Sequence, residues 1–254
     1  RIATAVRRGR PVVLGIGAHV IKVGLGPLIV DLLRRERIAA LAMNGACLVH
    51  DFELAWGGQT SEDVGPGLDQ GVFGMARETG EFLNRATVEG VARGVGLGRA
   101  VGDAILRAKL PHRQLSILAT AAALDRPATV HVAIGTDIIH MHPSADGAAI
   151  GTGSLRDFHL LAAMVGQLDG GVYINLGSAV VLPEVFVKAL NLARNVGHPV
   201  RRITTINMDF LRHYRPSVNV VDRPTAQGGR GITLTGHHEL MFPLLWAAVE
   251  EALR

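Results

Sequence analysis

The chain has 254 residues, 48% of them hydrophobic and 19% charged, with a net charge of +4. That length can bury one substantial core, while aromatics at 4% are too few for the basic, aromatic-interleaved stripe of a nucleic-acid binder. No apolar run reaches the ~18–20 residues of a membrane span, no signal peptide is expected, and a single cysteine, Cys47, excludes an intramolecular disulfide and points to a reducing, cytoplasmic setting.

Taken in order, "PVVLGIG" (11–17) reads as a buried strand ending in a glycine turn. "GPLIVDLLRRER" (26–37) has Pro27 at a helix start and apolar residues at helical spacing. "IAALAMNGA" (38–46) is a second buried strand ending in Asn-Gly, and both strands are apolar throughout, as in a parallel sheet covered on both faces. Residues 44–53 then read as a ligand loop, with "GGQTSEDVG" as its outer lip, where Glu62 and Asp63 cap the next helix. Residues 99–110 and 113–124 suit helices, whereas the glycine-rich stretch 66–98 carries no clear period. "ATVHVAIG" (128–135) is a strand, followed by a short strand and loop through "TDIIHMHPSADG". A helix over 154–168 opens on a capping Ser154, "GGVYINLG" (170–177) is a strand, and 183–195 is a helix entered through Pro183. Residues 201–207 form a strand, a loop-rich stretch follows, and 239–254 close the chain as a helix that Pro243 kinks or starts. Strands alternating with helices, with no linker and no repeat, predict one three-layer α/β domain over residues 1–254 with a mostly parallel sheet.

In such a fold ligands bind beyond the carboxyl ends of the strands. The candidates are therefore Gly17, His19 and Lys22 after the first strand and Asn44, Gly45, His50 and Asp51 after the second. Asp137, His140 and His142 follow the third, Gly177 and Ser178 the fourth, and Asp209 the fifth. "GIGAHVIKVGLG" lacks the G-x-G-x-x-G spacing of a dinucleotide fingerprint, so its glycines serve either a phosphate approach or a tight turn. Lys22 lies among apolar residues in a chain with two other lysines; a desolvated lysine is nucleophilic, and a snorkelling one is structural. On a strand, His140 and His142 would share a face and form half of a zinc site; on a loop they are hydrogen-bonded histidines. His237 and His238 precede the last helix and face either the crevice or solvent, with Glu239 in its first turn.

Five segments, in order, resemble deoxyhypusine synthase. "LGIGAHVIKVGLG" is similar to that family's "LGYTSNLVSSG", and "AMNGACLVHDFE" to "TTAGGVEEDFI". "TDIIHMHP" resembles "GDMIFFHS", "VYINLGSAVVLPEVFVKALN" resembles "MIILGGGVVKHHIANAN", and "GHHELMFPLL" resembles "ADASLVFPLL". The resemblance implies a Rossmann-like, NAD-binding fold, a homotetramer, and an enzyme in which NAD oxidises spermidine before the aminobutyl group moves to a lysine. Asp137 matches the family's substrate-contacting aspartate in "GD", and Asp51 matches the aspartate of "EEDF". The family's catalytic lysine motif is absent: its nearest counterpart is Arg230 in "GGRG", and guanidinium does not readily form an imine. The family's histidine falls near Pro183-Glu184, its paired glutamates become Val49 and His50, and Lys22 stands where the family has a serine.

The expected function is thus an NAD-binding transferase or related enzyme acting on an amine-type or nucleotide ligand, with Lys22, His50, Asp137 and His238 as catalytic groups. Gly17, His19, Asn44, Gly45, Asp51, Gly177 and Ser178 would hold the cofactor. The alternatives are a non-enzymatic homo-oligomeric binding protein and a metal-assisted hydrolase built on His140 and His142.

Overall fold

Six strands form one all-parallel sheet in the computed structural model, which describes residues 1–254. They are β1 (Val12–Ile16), β2 (Ala40–Asn44), β3 (Ala128–His131), β4 (Val172–Leu176), β5 (Thr204–Asp209) and β6 (Arg230–Thr235). Their order is β3-β2-β1-β4-β5-β6, the doubly wound Rossmann order. The register aligns the carboxyl ends: Ile16 pairs with both Met43 and Leu176, Asn44 with His131, and Leu176 with Met208. One rim of the sheet therefore collects the residues that follow every strand.

The helices are α1 (Ile2–Arg7), α2 (His19–Lys22), α3 (Gly26–Arg34), α4 (Gly45–Gly57), α5 (Val64–Asp69), α6 (Arg77–Ala92), α7 (Leu97–Ala108) and α8 (Ile117–Ala123). After β3 come α9 (Gly147–Gly166), α10 (Val181–Asn195), the short α11 (Tyr214–Pro216) and α12 (Arg223–Thr225), and α13 (His238–Leu253). Strand side chains alternate, so Leu14 and Ile16 pack on one face and Val13 on the other. The first face is covered by α1, α3, α4, α7, α8 and α13. The second is covered by α9 and α10, where Tyr173 stacks on Phe186 at 3.8 Å between ring centroids. Both faces are dry, which is why the strands read as continuous apolar runs.

Four expectations are corrected. Residues 45–57 are helix, not loop: Asn44 caps it, its side chain accepting from the Cys47 amide at 3.1 Å, and Gly58 ends it at φ +71°. Residues 138–141 form a 3₁₀ turn instead of a strand. The helix expected from Ser154 starts at Gly147, because Asp146 accepts from the Ala148 and Ala149 amides. The loop-rich stretch before the last helix contains helical turns, a π-helical segment (Ser217–Asp222) and β6, whose edge position leaves it only half-buried and so without an apolar signature.

Candidate functional site

The turns after β1, β2 and β3 enclose a cavity of about 200 Å³ at the carboxyl rim of the sheet. Lys22 comes from α2, His50 and Glu53 from α4, Ser61 and Glu62 from the segment after it, and Thr136 and Asp137 from the turn after β3. Val49, Val64, Phe73 and Ile138 supply the apolar wall. On α4, Ala46, Val49, His50 and Glu53 recur at helical spacing and present one face to this space. Three carboxylates thus share the cavity with one lysine.

Asp137 is buried, and its Oδ2 has no hydrogen-bond partner. Burial pushes its carboxyl up to about 6. The carboxylate lies against the first residue of α4, so closely that a Cβ on Gly45 would collide with it. Gly45 is therefore a close-approach glycine, and the amino end of α4 favours the negative charge that burial opposes.

His50 is oriented by two neighbours. Its Nδ1 lies 2.6 Å from Thr60 Oγ, and the Thr60 hydroxyl donates to Glu53 Oε2 at 2.5 Å. A carboxylate only accepts, so the one threonine proton goes to Glu53 and the histidine proton resides on Nδ1. In the neutral ring Nε2 then carries the lone pair. Burial raises the Glu53 carboxyl, but His50, the Thr60 hydroxyl and the Ser61 amide outweigh it and hold it below its ordinary value.

A second cluster lies beside the cavity at the switch point between β1 and β4. His19 Nδ1 and His238 Nδ1 are 3.0 Å apart, and His238 Nε2 is 3.4 Å from Asp209 Oδ1. The latter is a charge contact without hydrogen-bond alignment, since Nε2 lacks a bonded partner. His238 and Asp209 are buried, whereas His19 is exposed. Gly177, at φ +67°, lets the His238 ring pack against the backbone: a Cβ there would stand 2.8 Å from Cε1. Phe210 covers the group, with its ring centroid 5.6 Å from those of both histidines. His19 and Lys22 sit three residues apart on α2, and Lys22 helps to lower the His19 pKa.

The structure brings Lys22, His50 and Asp137 together, and separately His19, Gly177 and His238. It removes Asp51 from the crevice. Asp51 accepts from Ser116 Oγ at 2.5 Å, the Ile117 amide at 2.6 Å and the Leu118 amide at 3.1 Å, so it caps α8 inside the core. Ser178 is buried and its hydroxyl caps α10 through the Leu182 amide at 3.2 Å. Gly17 is also buried; its amide donates to Leu176 and its Cα faces the Gly177 carbonyl, so it seals the base of the crevice. The zinc pair is corrected as well. His140 Nδ1 accepts from the Gly135 amide at 3.1 Å, His142 Nε2 meets the Gly74 carbonyl at 2.9 Å, and no three His, Cys, Asp or Glu are grouped to hold a metal. Arg230 opens β6 at the opposite rim. Glu53 and Thr60 were missed; the i, i+3 spacing of His50 and Glu53 signals them once 45–57 is read as helix.

No protein-family model and no curated protein matches the sequence. Solved structures do. AgrE, in a ternary complex with ornithine and NAD+, is 16% identical with a TM-score of 0.60, over 99% of this chain and 32% of AgrE. The likeness is one of fold. A protein of Methanococcus maripaludis S2 described as LOR/SDH gives 14% identity and a TM-score of 0.59 over 98% of this chain and 65% of that one. A protein of Entamoeba histolytica described as a deoxyhypusine synthase gives 10% and 0.55 over 96% and 77%. The chain spans about a third of AgrE and of the cyanobacterial arginine dihydrolase ArgZ, at 32% and 31% of their lengths. What the comparisons show of the resemblance to deoxyhypusine synthase is a shared Rossmann-like scaffold. No helix is long and apolar enough to cross a membrane.

Proposed function

We propose that this chain is the nucleotide-binding unit of an NAD-dependent enzyme that oxidises a small cationic amine or basic amino acid. The observation that carries the reading is the charge pattern of the cavity, in which Glu53, Glu62 and Asp137 face one Lys22. A cationic amine pairs with the carboxylates of the cavity, and a substrate carboxylate, where there is one, pairs with Lys22. About 200 Å³ suits a molecule of amino-acid size and not a dinucleotide.

The nucleotide is assigned to the adjoining crevice between β1 and β4, the usual ligand position in this strand order. His19, Gly177 and Phe210 lie at this end of the sheet. The glycine fingerprint is absent and the Gly17 and Gly177 amides already donate to Leu176 and Met208, so the side-chain donor this crevice offers a phosphate is His19. NAD, when bound, supplies the hydride acceptor. The nearby AgrE structure, which holds ornithine and NAD+, supports both halves of the reading by analogy of fold. Transfer to an enzyme lysine is not part of the proposal, because Arg230 lies on the far rim. We also propose that the chain self-associates, on the resemblance and on the exposed Val64, Leu68 and Val72 beside the cavity.

Calorimetry with NAD tests the cofactor, and light scattering tests the assembly. Binding in the micromolar-to-millimolar range is expected; no heat at millimolar NAD removes the cofactor from the proposal.

A further inference from the structure

We propose that His50 is the general base that takes the proton of the bound ammonium, with Thr60 and Glu53 as positioning residues. The inference rests on the amine reading above and deepens it, by assigning the group that prepares the substrate within the same cavity. An amine enters as ammonium, and its nitrogen has no lone pair until a proton leaves, so oxidation of the adjoining carbon waits on a base.

His50 shares the cavity with Lys22, Glu53, Glu62 and Asp137, and the other four are poorly suited to the task. A lysine ammonium only donates, and a carboxylate is ordinarily a weaker base than imidazole. Glu53 Oε2 already accepts from the Thr60 hydroxyl at 2.5 Å and the Ser61 amide at 3.4 Å. Glu62 Oε2 accepts from the Gly74 amide at 3.1 Å. The Asp137 side chain accepts from the His140 amide within its own turn, and its Oδ2 is buried against Gly45. His50 differs from all of them. Its Nδ1 proton is committed to Thr60 Oγ at 2.6 Å, which leaves the lone pair at Nε2. Nε2 accepts no hydrogen bond from the protein and stays accessible, on a ring that lines the cavity.

One helix and the segment that follows it build this arrangement. His50 and Glu53 stand three residues apart on α4 and so share a face, and Thr60 returns to bridge them after Gly58 ends the helix. An N–H bond of the ammonium breaks and an N–H bond forms at His50 Nε2. The ring then carries both protons and a positive charge, with Glu53 Oε2 3.7 Å from Nδ1. Burial raises the Glu53 carboxyl, yet His50, Thr60 and the Ser61 amide outweigh it, so Glu53 is ionised near neutral pH and faces that charge. Nδ1 keeps its proton throughout; Thr60 fixes the ring and moves nothing. The amine retains its remaining N–H groups for the carboxylates of the cavity.

The test joins ring NMR with turnover, both on the whole chain. Long-range proton–nitrogen spectra without ligand, at mildly basic pH, should show His50 as the Nδ1–H tautomer, and Thr60→Val should release it to a mixture. With ornithine and NAD, His50→Gln should lower kcat about a hundredfold or more and change KM little. In His50→Ala, added imidazole should restore part of the lost rate. In Thr60→Val the acid limb of the kcat/KM profile should move to lower pH, a shift that a merely structural threonine would not give. His50 found as Nε2–H in the parent, or ornithine oxidised by His50→Gln at the parent rate, overturns the base assignment and leaves the amine reading standing. If His50→Gln does not fold, the parent spectra and Thr60→Val decide the matter in the same way. A parent chain that binds ornithine and reduces no NAD also overturns the assignment, whereas no ornithine binding by calorimetry removes the amine reading and the base assignment with it.

Discussion

His50 and Asp51 are adjacent in sequence and face opposite ways. Successive helical residues diverge by about 100°, so α4 turns His50 toward the cavity and Asp51 into the core, where it is 1% exposed. Asp51 holds the amino end of α8 through Ser116, Ile117 and Leu118. Replacing it with Ala orphans three donors, and the expected loss is about 2–4 kcal/mol of unfolding free energy. Chemical denaturation measures that loss, and ligand affinity at the cavity should change little in the protein that remains folded.

Asp137 gives a pH signature. Its folded pKa of about 6 lies above the ordinary carboxylate value, so the fold binds a proton more tightly than the unfolded chain does. Its contribution is therefore favourable at low pH and declines as pH rises from about 4 to about 6. Asp137→Asn should remove that decline and stabilise the ligand-free protein at pH 7 by about 1–3 kcal/mol. Melting curves recorded across this window check the sign.

Thr60→Val keeps the shape and removes the hydroxyl between His50 and Glu53. The Glu53 carboxyl should then titrate higher than in the parent. Because its folded pKa is lowered, its stabilisation is present above the unfolded value and is lost as pH falls through the folded one. The variant should lose about 1–2 kcal/mol near neutral pH and very little in acid, read by denaturation at the two pH values.

Gly177→Ala introduces a Cβ at φ +67° and 2.8 Å from His238 Cε1. Backbone strain and displacement of the ring together should cost about 1–3 kcal/mol. The same variant should weaken nucleotide binding while sparing the amine cavity, a split that calorimetry with each ligand resolves.

Much of the scaffold is legible in the sequence because β1 to β5 are buried almost throughout and end in glycine or polar turns. β6 escaped because an edge strand with one half-open face carries no such run, and "RGITLT" alternates only weakly. At the site, Lys22, His50 and Asp137 were legible because the rim rule applies to whatever follows a parallel strand. Asp51 misled because position after a strand does not specify which side of the ensuing helix a residue takes. Reading the first turns of α4 as loop hides Glu53 as well, and the pairing of His140 and His142 fails because a 3₁₀ turn lacks the two-residue period of a strand.

The central claim is that the cavity between Lys22 and Asp137 receives a small cationic amine. Titration calorimetry with ornithine, in the presence of saturating NAD, tests it most directly on the parent chain, Lys22→Ala and Asp137→Asn. The account predicts saturable binding by the parent and a loss of about tenfold or more in each variant, which corresponds to about 1.4 kcal/mol. Binding unchanged in both variants, or no binding by the parent at millimolar ornithine, would contradict it.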